Sequence, residues 1–464
     1  MQILTFPLRA ATAVLAASLI SACSSDSTPA ASAPVDAGDV VAVVAARAPD
    51  FSSGAVSLVN GDSFAAQNNL AATASDIVVR AAGAQFFLIE RFGLTTVKRF
   101  DLDTPNTPTL TASTQDAGDM DDSNPADLIL LSPTKGYLLR YGSGTVWIVN
   151  PSATTEADFK TGEIDLSHYD ADGVPEMIAG VIDQGLLYVA MQRLESFASV
   201  KNGYVAVIDT GSDEEIVTGD DPALPGIELP LRSPTGLVRD PASADLLVIG
   251  SGGFDGSFAP QFEGGIARID TGAFTAELRL DDGTAEDPTF GQFGELVAVT
   301  GSRAYFTAGI AFGPQSLYRF NPLSDAAPVV VDGFNAQSLG ALAVDPLNRL
   351  WVARADADAP GITVLDVSGD AETVVRALID TDLTPLNIDF AIVPTSCADH
   401  RQRLSAPGES RRRGLLLIRP PREAHQREHR FGLEQVEGHQ CLTLLGPGFP
   451  GVGRHLQQLL QGGR

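Results

Sequence analysis

The segment GYVAVIDTG, Gly203 to Gly211, alternates apolar with small or polar residues and ends in an aspartate followed by a turn. A period of two is typical of a β-strand, and a short Asp or Asn side chain caps the turn that follows it. Comparable runs end at Asn60, Asp101, Asn150, Asp270, Asn321 and Asp366. The seven copies lie 41 to 61 residues apart, a period that indicates one four-stranded propeller blade per copy.

The residues before each copy predict the rest of the blade. Six copies follow two short apolar strands joined by a tight turn, as in DIVVRAAGAQFFLIER from Asp76 to Arg91, whereas the first copy follows the single strand VVAVVAAR from Val40 to Arg47. The missing strand is LNIDFAIV, Leu386 to Val393, which follows the last blade and has no blade of its own. A propeller must protect its sheet edges. We therefore predict an all-β, seven-bladed β-propeller over residues 40–394, closed by a C-terminal strand that joins the first blade.

Two segments have amino-acid sequences that resemble a known repeat. GYVAVIDTGSDEEIV, from Gly203, and LAVDPLNRLWVARA, from Leu342, resemble the YVTN-type β-propeller repeat family, and the likeness extends over residues 40 to 394. The resemblance implies the fold. It does not imply one function, because propellers serve binding, structural and enzymatic roles alike.

The first 22 residues have the features of an export signal. One arginine, Arg9, precedes an Ala/Leu-rich run that is too short to span a bilayer and ends in Ile20-Ser21-Ala22-Cys23. This tetrad resembles the lipobox of bacterial lipoproteins, which implies cleavage before Cys23 and lipidation of its thiol. The alternative is a soluble periplasmic protein in which Cys23 is incidental. Ser24 at the next position resembles an outer-membrane sorting signal, and the Ser/Ala/Pro-rich residues 23–39 are predicted to form a flexible linker.

Charge and cysteine content restrict the partners. Between the signal and residue 394 the chain has 19 Lys plus Arg against 52 Asp plus Glu, a net charge near −33. Such a surface disfavours nucleic acids and anionic lipid surfaces as partners. The three cysteines are Cys23, Cys397 and Cys441, so the propeller has no disulfide framework and depends on its core.

The composition changes abruptly after Pro394. Residues 395–464 contain 11 of the 31 basic residues and five of the six histidines, without strand alternation. We interpret this basic tail as a frameshifted reading frame, disordered or poorly packed as a helix. A genuine basic interaction segment is the alternative. Cys397, His400, His439 and Cys441 lack zinc-ligand spacing and are not assigned to a site.

Two charged patterns recur along the blades. An arginine closes the second strand in five blades, at Arg47, Arg91, Arg140, Arg193 and Arg354. An acid opens the innermost strand at five positions, Asp76, Asp127, Glu176, Glu295 and Asp389. Both places belong to the same end of a propeller, at the mouth of its channel. The two groups can form ion pairs between neighbouring blades, or converge on a ligand whose carboxylate or phosphate fits the guanidinium groups.

Aromatic residues occur in the loops that follow the arginines. They are Phe51, Phe92, Tyr141, Phe197, Phe254, Phe258, Phe262 and Phe312. Apolar rings among Gly and Ser residues provide contact area beside adaptable polar groups, which favours a binding surface. A ring that holds its own loop onto the propeller is the alternative for each residue.

Signals for metal binding and catalysis are weak. Acidic loops around Asp119, Asp121 and Asp122, at Asp170 and Asp172, and at Asp356 and Asp358 could suit calcium, but none has the spacing of an EF-hand. The propeller contains one histidine, His168, which argues against a histidine metal site or a Ser-His-Asp triad. No cofactor is therefore predicted, and calcium stays possible.

These observations favour a membrane-anchored surface or periplasmic lipoprotein whose propeller binds a small molecule or peptide. By resemblance to other surface lipoproteins of this shape, its partner could be a TonB-dependent transporter or another envelope protein. The alternatives are a calcium-dependent propeller hydrolase that resembles lactonases, and a non-catalytic envelope scaffold.

Overall fold

A computed structural model describes residues 35–116, 122–219, 221–310 and 313–393, together with the backbone of 413–416, 431–436 and 439–444. The predicted signal peptide and Cys23 lie outside these residues. The end of the predicted linker is a short 3-10 turn, Ala37–Asp39, in which the Asp36 carboxylate accepts the Gly38 N–H. Within the described residues, no helix is long and apolar enough to cross a membrane.

Twenty-nine strands form seven antiparallel sheets, as the sequence predicts. The strands of the first four blades are β1 (Val40–Arg47), β2 (Gly54–Asn60), β3 (Ala66–Thr73), β4 (Ile77–Ala82), β5 (Gln85–Glu90), β6 (Thr96–Asp101), β7 (Pro108–Ser113), β8 (Pro125–Ser132), β9 (Lys135–Arg140), β10 (Thr145–Val149), β11 (Lys160–Asp165), β12 (Met177–Asp183), β13 (Leu186–Met191), β14 (Tyr204–Asp209), β15 (Glu214–Glu215) and β16 (Ile227–Glu228). Those of the last three blades, with the closing strand, are β17 (Pro234–Arg239), β18 (Leu246–Gly250), β19 (Gly265–Asp270), β20 (Thr275–Asp281), β21 (Gln292–Thr300), β22 (Arg303–Gly309), β23 (Gln315–Phe320), β24 (Val329–Val330), β25 (Leu339–Val344), β26 (Arg349–Arg354), β27 (Gly361–Asp366), β28 (Thr373–Asp380) and β29 (Thr384–Ile392).

The closing strand joins the first blade, which confirms the predicted closure. β29 pairs antiparallel with β1, so that Val40 lies opposite Ile392 and Arg47 opposite Thr384, and the sheet order is β29-β1-β2-β3. The innermost strands of the seven blades are β29, β4, β8, β12, β17, β21 and β25. Each of them contacts the innermost strand on either side, so the ring is continuous and encloses a central channel.

The core lies between blades. The described residues contain seven buried apolar clusters, and each cluster joins two adjacent blades. Second strands are therefore apolar on both faces, as in β1, where six of eight residues are buried. Outermost strands have one edge in solvent, and in β28 seven of eight residues are exposed.

The repeated Asx residues cap the turns after the third strands, as predicted. Asp209 Oδ1 accepts the N–H groups of Gly211 and Ser212 at 2.9 and 2.8 Å. Equivalent bonds are made by Asn60, Asn150, Asp270, Asn321 and Asp366. Asp101 differs, because its carboxylate accepts the side-chain amide of Gln85 at 2.8 Å.

In the basic tail the described backbone forms a separate three-stranded antiparallel sheet of β30 (Arg413–Leu416), β31 (Phe431–Val436) and β32 (His439–Leu444). Cys397 and His400 lie outside the described residues. The hypotheses that this tail is frameshifted, disordered or a poorly packed helix stay predictions.

Candidate functional site

A repeated backbone contact defines one end of the propeller. The residue after a second strand donates its N–H to the carbonyl of the residue before the innermost strand, as from Arg91 to Asp76 at 3.0 Å and from Gln192 to Glu176 at 3.1 Å. The segments after the second strands and before the innermost strands therefore lie at the same end, which we call the loop face. Glu176 is held there at a φ of 51°, a left-handed conformation that is uncommon for a residue with a Cβ.

The arginines at the ends of the second strands lie on the loop face, where they contact nearby loops. Arg140 is buried, and its Nε donates to the Thr114 carbonyl at 3.0 Å while its guanidinium lies 4.5 Å from the Trp147 ring centre. Arg193 similarly donates to the Tyr169 carbonyl at 2.7 Å and stacks 4.6 Å from the Tyr204 ring. These two guanidinium groups therefore make contacts within the protein that stabilise its fold.

The remaining three arginines are nearer to solvent. Arg47 lies 4.1 Å over the exposed ring of Phe51, and burial lowers the pKa of its guanidinium while Asp76 raises it. Arg91 pairs with Asp76 at 3.7 Å within its own blade. Arg354 donates to the Gln337 side chain at 2.8 Å. Among the described residues, Arg91, Arg140 and Arg354 form ion pairs with Asp76, Asp116 and Asp356 respectively.

The predicted acids separate into two levels. Asp76 and Glu176 immediately precede innermost strands and lie at the channel mouth. Asp127, Glu295 and Asp389 are the third, fourth and sixth residues of β8, β21 and β29, so they lie further along the channel than the sequence predicts. These strands begin earlier than their apolar runs, at Pro125, Gln292 and Thr384, because polar residues also take part in the pairing.

A residue that the sequence analysis did not select organises these three acids. Arg80, in the middle of β4, donates from Nε to Asp127 Oδ1 at 2.7 Å and from NH1 to the Asn387 side chain at 3.4 Å. It also interacts electrostatically with Asp389 and with Glu295. Glu295 belongs to blade 6, which is not adjacent to blade 2, so this last interaction crosses the channel. The available signal was a lone arginine within the apolar strand IVVRAA.

The same acids join the innermost strands of neighbouring blades. Asp389 Oδ2 accepts the Ala81 N–H at 2.8 Å, and the side chain of Asn387 accepts the Val79 N–H at 3.0 Å. The Glu295 carboxylate accepts the Leu342 N–H of blade 7. We name Arg80, Asp127, Glu295, Asp389 and Asn387 the channel cluster. It contains three carboxylates and one guanidinium.

The charges of the channel cluster are poorly solvated. Burial alone would lower the pKa of Arg80, but Asp127, Asp389 and Glu295 together raise it above its ordinary value. Glu295 is accessible to water in the channel yet surrounded by protein, and this desolvation raises its pKa to about 7 despite the Leu342 N–H and Arg80. Desolvation likewise raises the pKa of Asp389, while Arg80 opposes that change. Glu295 therefore takes up a proton near pH 7.

A second titratable group lies at the mouth. Burial raises the pKa of Glu176 to about 7, although the Leu194 N–H donates to it at 2.9 Å. Tyr141 lies nearby, and burial together with the charge of Glu176 raises its pKa to about 12. The Tyr141 hydroxyl donates to Gln192 at 2.8 Å, and the Gln192 amide donates to the Pro234 carbonyl at 2.9 Å. These bonds link blades 3, 4 and 5 around the channel mouth.

Exposed aromatic rings surround this polar centre. Phe51, Phe92, Phe197 and Phe258 are 60%, 71%, 76% and 71% exposed, and each lies in a segment that follows a second strand. Tyr141, Phe254 and Phe262 are half-buried, which fits rings that hold their own loops. Phe312 lies outside the described residues. The loop face thus combines exposed apolar rings with a polar, acidic channel mouth.

The acidic loops considered for calcium are used as turn caps or ion pairs. Asp170 pairs with Lys201 at 3.1 Å, Asp172 accepts the Val174 N–H, and Asp356 lies 3.5 Å from Arg354. Asp122 accepts the N–H groups of Gly93 and Asn124, while Asp119 and Asp121 lie outside the described residues. In the part of the chain that the structure describes, no three His, Cys, Asp or Glu side chains are grouped as a metal site.

Solved structures share the architecture at low sequence identity. A protein from Lactobacillus plantarum superposes with a TM-score of 0.51 at 12% identity, covering 75% of this chain and 98% of its own. Apo AztD from Citrobacter koseri gives 0.42 at 15% identity, with coverages of 77% and 99%, and virginiamycin B lyase from Staphylococcus aureus gives 0.43 at 12%, with 67% and 91%. No protein-family model and no curated protein matches the sequence. The likeness to the Lactobacillus plantarum protein supports the fold described above, and no family is shown for this chain.

Proposed function

We propose that this protein is an anchored envelope lipoprotein whose propeller is a binding module, with the loop face as its binding surface. One observation supports this most strongly: four phenylalanine rings, each at least 60% exposed, lie on the same end of the propeller as the channel mouth. Exposed rings of this size cost solvation free energy, and grouped on one face they are typical of a binding surface.

Charge narrows the class of ligand. The propeller and linker have a net charge near −33, and the channel cluster has more carboxylates than guanidinium groups. An organic ligand with an apolar face, and with either no charge or a positive charge, suits these surroundings best. Small molecules and peptides of this kind fit the hypothesis of capture for an outer-membrane transporter.

The binding hypothesis is tested by a thermal-shift screen followed by affinity measurements. The protein beginning at Ser24 is heated with corrinoids, haem, siderophores, oligosaccharides and peptides. A ligand of the folded state at a hundred times its Kd contributes about 2.7 kcal/mol, which raises the Tm measurably. Absence of any shift across the panel would favour the scaffold alternative.

For a ligand found in this way, we expect Phe197→Ser or Phe258→Ser to weaken binding by about tenfold or more, because a central aromatic contact contributes above 1 kcal/mol. The Tm should stay within about 1 °C of wild type, since both rings are already in solvent. The matched control is Val374→Ser on β28, an apolar residue that is 61% exposed away from the loop face. Equal weakening by all three variants would contradict a site on the loop face.

The anchor has its own test. We expect Cys23→Ala to abolish incorporation of labelled fatty acid in cells and to shift the protein from the membrane fraction to the soluble fraction, because the thiol is the proposed lipid acceptor. Ser24→Ala is the control and should keep the label. A Cys23→Ala protein that still carries lipid would show that the anchor lies elsewhere.

A further inference from the structure

Two loops of blade 5 meet on the loop face, and both are acidic. Residues 251–264 follow β18, and residues 282–291 connect β20 to β21. Together they contain five carboxylates and no Lys or Arg. We call these segments the blade-5 loop pair. Acidity alone does not make a site, because solvated loops are often acidic.

One carboxylate of the blade-5 loop pair, that of Asp282, is buried, and one of its two oxygens has no hydrogen-bond partner among the described residues. Asp282 is 1% exposed, and its Oδ2 accepts the Gly264 N–H from the opposite loop at 2.9 Å. Its Oδ1 is fully buried and has no hydrogen-bond partner among the described residues. The backbone of Asp282 is itself fixed, since its carbonyl accepts the Thr289 N–H at 2.9 Å. The carboxylate therefore points into the junction of the two loops.

Burying such an oxygen is costly. An ionised group in an apolar environment loses its hydration, and the cost is offset only by a proton, a donor or a cation. Burial raises the pKa of Asp282, and its free oxygen has no donor among the described residues.

The surrounding backbone is closely packed. Gly252 adopts a φ of 77°, and a Cβ at Gly264 would lie only 2.7 Å from the Gly252 amide nitrogen and 2.5 Å from the Gly250 carbonyl oxygen. Glycine at positions 252 and 264 therefore allows the peptide groups at the two ends of loop 251–264 to approach each other. A second buried polar atom without a hydrogen-bond partner in the described residues, Ser199 Oγ, lies against Gly253 of the same loop.

We propose that Asp282 binds a small hard cation of the Ca²⁺ class at the junction of the blade-5 loop pair. Its free oxygen is the one carboxylate ligand, and backbone oxygens complete the coordination, a ligand set that Ca²⁺ accepts. The cation ties loop 251–264, which carries Phe258, to the innermost strand of blade 6. This site is separate from the channel cluster and does not depend on the proposed ligand of the loop face.

The test uses the full chain, solubilised in detergent and freed of metals with a chelator. Titration calorimetry with CaCl₂ should show one site with a Kd of about 10⁻⁴ to 10⁻³ M, the range of extracellular calcium modules. The Tm should rise by about 2–4 °C at saturating Ca²⁺. Absence of binding heat together with an unchanged Tm would overturn the proposal, as would a response to Mg²⁺ or Na⁺ without one to Ca²⁺.

Variants locate the site. Asp282→Asn keeps an oxygen for the Gly264 N–H but removes the charge, so it should abolish Ca²⁺ binding and, in chelator, melt at or above the wild-type temperature. Asp281→Asn is the control, because this neighbouring acid is exposed and accepts the Gly283 N–H. It should bind Ca²⁺ like wild type. Calcium binding retained by Asp282→Asn would overturn the assignment, and the wild-type titration decides by itself if that variant does not fold.

Discussion

A chain that ends after Leu383 is expected not to form a stable propeller, whereas a chain that ends after Pro394 is expected to unfold at the same denaturant midpoint as the full protein. The first truncation removes β29, which is the innermost strand of blade 1. It leaves β1 as an open edge and removes Ile388 and Ala391, which are 6% and 0% exposed. The loss should exceed about 5 kcal/mol, which is the scale of total domain stability.

A pair of point variants tests the same closure without truncation. Ile388→Ala should lower the free energy of unfolding by about 2–5 kcal/mol, because Ile388 belongs to the cluster between blades 7 and 1. Ile392→Ala, four residues further along β29, should cost little because Ile392 is 40% exposed. The measurement is urea unfolding followed by circular dichroism. Equal effects of the two variants would contradict closure by β29.

The second large effect is expected in the channel. Arg80→Met should destabilise the protein by about 3 kcal/mol at pH 8, because it leaves Asp127, Glu295 and Asp389 without their guanidinium partner. The control is Arg279→Met on β20. Arg279 also pairs with an acid of the neighbouring blade, Asp325 at 3.1 Å, but the Asp325 side chain is fully exposed, so the loss of Arg279 should cost below about 1 kcal/mol.

The penalty for losing Arg80 should shrink as the pH falls. The pKa of Glu295 is about 7 in the folded protein, above that of an unfolded glutamate, and the pKa of Asp389 is also raised. The folded state therefore binds more protons than the unfolded state between about pH 4.5 and 7, and its stability rises as the pH falls through that window. Without Arg80 these acids should bind protons still more readily.

The measurement is the Tm of wild type and Arg80→Met at pH 8 and pH 6. The difference between the two proteins should be smaller at pH 6. Adding Asp127→Asn to Arg80→Met should restore part of the lost stability at pH 8, since it removes one unpaired carboxylate. A difference that is independent of pH, with no recovery in the double variant, would show that Arg80 contributes by packing alone.

The fold could be predicted from the sequence because the sequence signals for it are local. Strand alternation, the Asx residue after each third strand and the order of strands along the chain each depend on neighbouring residues, and together they give the number of blades. The orphan strand near Leu386 predicted the closure for the same reason. Its first residues, Thr384 and Pro385, were missed because neither is part of an apolar run.

The contacts of the candidate functional site were harder to predict from the sequence than the fold. The arginines at the ends of second strands lie on the loop face, but the sequence did not indicate their partners. Arg140 and Arg193 bind carbonyl groups of nearby loops and stack on Trp147 and Tyr204 of the third strands. No charge pattern indicates these contacts. Neither Arg80 nor Asp282 belongs to a repeated sequence pattern, so the repeats did not point to them.

What the sequence by itself determined is therefore the seven-bladed ring and the end of it that carries the loops. Tertiary structure alone decided which charged side chains meet in the channel. Asp127, Glu295 and Asp389 come from three innermost strands separated by up to 262 residues, and their depth depends on where each strand begins to pair. That starting point is set by packing between blades, since every core cluster is shared by two of them.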